Sequence, residues 1–137
     1  MFNFLRKQLV PILLATIWIS MSEFVRNELL LKEYWVDHFT GLGLDFPDAP
    51  VNGVLWGIWS LLFALFISMV SQKYDLKSTT LIAWFGGFVL MWLVAGNLGF
   101  LPLTILYWAV PLSLVETAVA AIIILKMGSR TIETSES

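Results

Sequence analysis

The sequence predicts an all-α integral membrane protein, a four-transmembrane-helix antiparallel bundle with a short interfacial helix in the first outer loop. Three observations carry that expectation. Of the 137 residues, 58% are hydrophobic and only 13% charged, and the mean hydropathy of +0.82 lies well above that of water-soluble domains. Four apolar stretches each reach the roughly 20 residues that a helix needs to cross a bilayer. Between them, polar segments punctuated by Gly, Pro and charge mark where the chain leaves the hydrocarbon.

The same composition removes whole classes of function. A net charge of −2 with no basic block offers nothing to nucleic acid. Without cysteine there is no disulfide framework, thiol nucleophile or thiolate metal site. No cofactor is expected. The expected organisation is one membrane domain over residues 1–127, with spans at about 8–30, 51–71, 79–99 and 103–127, and a polar tail over 128–137.

The first segment opens with the basic pair Arg6 and Lys7 ahead of an apolar run, which is also how a signal peptide begins, and Ser20 and Ser22 supply a small-x-small pattern. An uncleaved first span is the better reading, because a helical polar stripe of Thr16, Ser20, Glu23 and Asn27, with Arg26 beside it, runs straight through that point. Cleavage would leave three spans. Beyond Leu30, Tyr34, Trp35, His38 and Phe39 recur at helical spacing and predict a short helix with its rings at headgroup level.

Along the second span Gly53, Gly57, Ser60, Ala64, Ser68 and Ser71 fall within a narrow sector, a seam of small residues for close helix contact. Trp56 and Trp59 fall off that seam and read as belt or packing residues. In the third span Ala83, Gly87, Val94 and Asn97 share one face. Trp84, Phe88 and Trp92 share another, assigned to lipid or a neighbouring subunit, and Gly86 with Gly87 predicts a gap at mid-depth. The fourth span presents Ala109, Ser113, Glu116 and Ala120, with Thr117 and Ala121 alongside and a kink expected at Pro111. Its short connection to the third makes the two antiparallel neighbours.

Lys and Arg counts set the orientation. Arg6, Lys7, Lys73, Lys77, Lys126 and Arg130 lie on one side, with Lys32 and Arg26 on the other. The expected location is a bacterial inner membrane with both termini cytoplasmic.

Ionisable groups within spans are costly and are therefore the first places to look for function. Glu116 is the deepest, expected level with Thr16 and Ser20 of the first span and with Gly86 and Gly87 of the third. A second, outer group combines Glu23, Arg26 and Asn27 with Asn52 and Asn97, a cation, a carboxylate and amides that could bind a small polar ligand or lock the bundle. His38 is the only histidine, so a histidine-rich metal centre within one chain is impossible, and no metal site is expected. No nucleophile and base pair is recognisable.

The favoured function is a non-catalytic accessory or assembly subunit whose polar cluster braces the bundle, as a homo-oligomer or part of a larger membrane complex. The alternative is an oligomeric carrier of protons or a small solute, using Glu116 and the outer Glu23, Arg26 and Asn27 group. An enzyme acting on a lipid or quinone has the least support.

Overall fold

A computed structural model describes the backbone of residues 2–128 and the side chains of residues 6–128. The polar tail from residue 129 on, with Arg130 of the orientation count, lies outside the described residues. The chain is helical throughout its long elements: α1 (Phe2–Phe24), α2 (Lys32–Gly41), α3 (Pro50–Ser71), α4 (Leu76–Trp84), α5 (Leu90–Asn97) and α6 (Leu106–Met127). Two of the junctions are single π-helical turns, Val25–Leu30 at the end of α1 and Phe85–Val89 between α4 and α5.

Four stretches are long and apolar enough to cross a membrane: Arg6–Leu30, Pro50–Ser71, Leu76–Asn97 and Leu103–Met127. The third begins earlier than expected because Asp75 caps it, its side chain accepting a hydrogen bond from the Ser78 N–H at 2.9 Å. It ends on Gly99, whose φ of +80° suits glycine, and Phe100 N–H bonds back to Ala95 O at 3.0 Å.

The hydrogen bonds from the Ser78 backbone and hydroxyl hold the Asp75 carboxyl below its usual value of 3.8. A depressed acid stabilises the fold above its unfolded pKa, and that contribution disappears as pH falls through the folded value. The thermal stability advantage of the wild type over Asp75→Ala should therefore be full at neutral pH and shrink below pH 3.8. An advantage independent of pH would mean that the cap acts through shape alone.

Within the bundle, α1 packs on α3 and α6, α3 on α4 and α6, and α4 on α6. Small residues occupy these interfaces: Ala15, Ser60, Ala64, Ser68, Thr79, Ala83, Ser113, Thr117, Ala120 and Ala121 are all buried. Lipid tails give helices no hydrophobic reason to associate, so contact is gained by letting backbones approach. Ile19, Ile67, Phe88 and Ile124 fill the space between them. A second cluster joins Leu31 to Leu101, Ile105 and Ala109.

The third span departs from expectation, and the π-turn is the reason. Its core-facing residues are Thr79, Ala83 and Phe88, with Trp92 packed against the core. The step from Ala83 to Phe88 is one residue longer than a helical turn, which is the extra residue a π-turn inserts. A face drawn at constant helical pitch is consequently out of phase beyond Gly87. Val94, expected inside, is 59% exposed and Asn97 is exposed, whereas Phe88, expected to meet lipid or a neighbouring subunit, is fully buried. Trp84 and Trp92 also turn inward and pack against the core.

The gap expected at Gly86 and Gly87 is filled by aromatic rings. A Cβ on Gly87 would meet Phe63 Cε2 at 2.5 Å, and one on Gly86 would meet Phe66 Cε1 at 3.2 Å. Phe63 is itself stacked on Trp59 and set edge-on to Phe88, so it has little freedom to withdraw. Gly87→Ala should lower the stability of the detergent-solubilised protein by the ~1–3 kcal/mol typical of overpacking. Gly53→Ala should be neutral or slightly stabilising, since nothing lies within 4 Å of that Cβ. Equal effects at the two glycines would show that the Phe63 ring yields.

None of the residues of α2 is buried. Its Trp35 and Phe39 instead meet Phe46, and Phe39 stacks on Phe100 with centroids 6.2 Å apart. His38 Nε2–H donates to Gly99 O at 2.7 Å, which ties α2 to the end of the third span.

Candidate functional site

The polar stripe of the first span closes on itself around Glu23. That carboxylate, 3% exposed, accepts from Arg26 Nη2 through Oε1, and from Asn27 Nδ2 at 2.9 Å and Trp56 Nε1 at 3.1 Å through Oε2. Asn27 Oδ1 in turn accepts from Trp35 Nε1 at 3.2 Å. Three elements, α1 with its π-turn, α2 and α3, thus meet through one carboxylate and one amide.

Arg26 is directed inward, with its side chain only 8% exposed. Its second terminal nitrogen, Nη1, lies 3.6 Å from Glu116 Oε1, and its Cζ sits 5.2 Å from the centre of the Phe88 ring. The guanidinium thereby spans two carboxylates and an aromatic face, an arrangement its planar fork and weak hydration favour over a lysine's ammonium. Both Arg26 and Asn27 belong to the first π-turn and Phe88 to the second. The second turn re-aims Phe88, which a regular helix would carry elsewhere.

Glu116 is the most enclosed member, 1% exposed. Its backbone carbonyl accepts from Trp18 Nε1 at 2.9 Å. Neither of its carboxylate oxygens has a hydrogen-bond partner among the described residues. Glu23 is an electrostatic neighbour of the same carboxylate. The triad therefore holds one cation against two acids in a low-dielectric setting.

The two expected sites are thus one. Glu116 meets the first span where expected, its backbone carbonyl taking the indole N–H of Trp18, which stands between Thr16 and Ser20, while Arg26 reaches its carboxylate. Thr16 takes no part, its hydroxyl bonding back to Ile12 O at 2.7 Å. Asn52 is half-buried beside the cluster, and Asn97 does not join it because the phase shift leaves it exposed. Of the expected packing seam, Ser60, Ala64 and Ser68 are buried, whereas Gly53 and Gly57 have nothing within 4 Å of a built Cβ. They line a cavity instead.

Trp18, Trp35, Trp56 and Phe88 complete the site although sequence reasoning did not place them there. One signal was available. Trp56 stands four residues from both Asn52 and Ser60 and so shares their face, and a Trp near a buried acid needs an acceptor for its N–H.

Cavities flank the cluster. One of about 500 Å³ between α1 and α3 is lined by Ser20, Glu23, Asn27, Asn52 and Trp56. Another of about 240 Å³ between α1 and α6 is lined by Trp18, Ser22, Arg26 and Glu116. A third of about 380 Å³ has largely aromatic walls. Among the described residues no three His, Asp or Glu side chains converge as a metal site.

The fold and the site define a small membrane protein in which four apolar helices enclose a buried ionic cluster. Comparison with protein-family models, with curated proteins and with solved structures yields no match.

Proposed function

We propose that this is a small polytopic protein of a bacterial inner membrane, acting as a non-catalytic accessory or assembly subunit whose polar cluster braces the bundle. The observation that carries the reading is the saturation of Glu23, whose two oxygens take donors from Arg26, Asn27 and Trp56. Groups that satisfy one another hold helices in register and have little left for a substrate. The spans alternate in direction, with both termini cytoplasmic and α2 lying along the outer interface. Lys and Arg positions and the short connections support that arrangement. The partner is a second copy or another membrane protein. Large apolar side chains cover the exterior, with Trp108 58% and Leu93 70% exposed, and they are available to lipid or to such a partner.

One observation favours a second reading, a carrier of protons or a small solute. The Glu116 carboxylate has no hydrogen bond among the described residues and borders a cavity. The two readings separate in one pair of experiments. As an assembly subunit, the protein extracted in mild detergent should co-purify stoichiometrically with a partner or with itself, and Glu116→Gln should leave reconstituted vesicles with unchanged proton flux. A monodisperse monomer whose proton-linked flux is lost in Glu116→Gln would reverse the assignment.

A further inference from the structure

The third cavity has a composition that the brace does not use. Its walls are the rings of Trp35, Phe39, Phe46, Trp56 and Trp59, drawn from α2, the following loop and α3, and Glu23 stands at its edge. At about 380 Å³ it falls within the range of small-molecule sites, roughly 300–1,000 Å³. The rings are held in place. Trp35 and Trp56 are hydrogen-bonded through their indole N–H groups to Asn27 and Glu23. Trp59 is stacked on Phe63 at 5.0 Å, and Phe39 meets Phe46 edge-on at 5.4 Å.

Two features specify the occupant. The first is charge. Arg26 balances Glu23, and in the adjoining cavity, which shares Glu23 and Trp56, Lys32 is paired with Glu28 at 3.2 Å while Asp48 stands in excess. The local field therefore attracts a cation, which the negative faces of the rings also favour. The second is the scarcity of acceptors. Glu23 already receives three donors, and the other polar residue of the wall is Asn52. A primary ammonium would lose its water without finding replacement hydrogen bonds. A fully alkylated ammonium has no N–H to satisfy. The protein uses the same chemistry a short distance away, where Arg26 lies over Phe88.

We propose that this aromatic cavity binds a quaternary ammonium group, seated against Trp56 and Trp59, with Asp48 of the adjoining cavity as the uncompensated charge. The group can arrive as a free trimethylammonium compound or as the headgroup of a phosphatidylcholine-type lipid.

The test uses the full chain in a sugar-based detergent, with binding of isotopically labelled choline measured by equilibrium dialysis. Saturable binding is expected, and the uncharged isostere 3,3-dimethylbutanol should compete at least about tenfold more weakly, the advantage that a desolvated cation–π contact confers. Trp59→Leu should lose binding by a similar factor, and Trp59→Phe should retain most of it. Asp48→Asn, remote from the helix packing, should weaken it several-fold with the fold intact. A lipid source is distinguished in nanodiscs. There, absence of free-choline binding together with contacts between lipid N-methyl protons and indole protons, seen with phosphatidylcholine but not phosphatidylglycerol, assigns the headgroup. Equal affinity for the isostere, or no signal in either arm, overturns the proposal.

Discussion

Replacing Arg26 by alanine is expected to lower the unfolding free energy in mixed micelles by about 3–5 kcal/mol, the range seen when one partner of a buried ion pair is removed. The guanidinium contacts Glu23 and Glu116, which are 3% and 1% exposed, so its loss leaves two acids facing each other without a cation. Lysine cannot restore the arrangement, because a single ammonium cannot bridge both carboxylates in a plane and lie over Phe88 at once. Adding Glu116→Gln to Arg26→Ala should recover part of the loss, and a double-mutant cycle should return a coupling of about 1 kcal/mol or more. A loss under about 1 kcal/mol for Arg26→Ala would mean that the side chain escapes to the headgroups and that the triad contributes little.

Glu23→Ala should produce the next largest effect, again about 3–5 kcal/mol. It strands the donors of Arg26, Asn27 and Trp56 in one step and unties α1 from α3. Glu23→Gln should cost less, since an amide keeps one acceptor oxygen for these donors. Asn97→Ala supplies the contrast. Although its residue type suggested membership of the same cluster, Asn97 is exposed, and its removal should stay within about 0.5 kcal/mol of zero. Chemical unfolding followed by tryptophan fluorescence measures all three. A large loss at Asn97 together with a small one at Glu23 would show that the cluster does not hold the bundle.

The four long helices were legible because bilayer-length apolar runs are a strong signal, and the structure returns them with shifts of only a few residues. The polar stripe of the first span was legible too, since Glu23 and Asn27 obey ordinary helical spacing. Two things were hidden. Constant helical pitch fails across Phe85–Val89, so the inward turn of Phe88 and the outward turn of Val94 and Asn97 could not be read from periodicity. The reach of side chains between levels was hidden too. Rise per residue fixes where a backbone sits, but Arg26 and Glu116 meet through the length of their side chains. The tryptophans illustrate a third difficulty. Trp56 is 44% exposed and still commits its N–H to Glu23, so belt residue and structural donor are not exclusive descriptions.

The π-turn of the third span also bears on how this chain tolerates change in length. A stretch that carries one residue more than a regular helix requires is the natural place to lose one. Deleting Gly86 would let Leu76–Asn97 run on at uniform pitch, with every backbone bond still made. The segment beyond would keep its place along the helix axis to within a fraction of a turn. Its facing would be kept as well, because Ala83 and Phe88 would then stand four residues apart, the spacing at which a regular helix carries both on one face, leaving Phe88 beneath Arg26. Spectroscopically the shortened protein would remain as helical as the parent, and the ionic cluster would keep its aromatic floor.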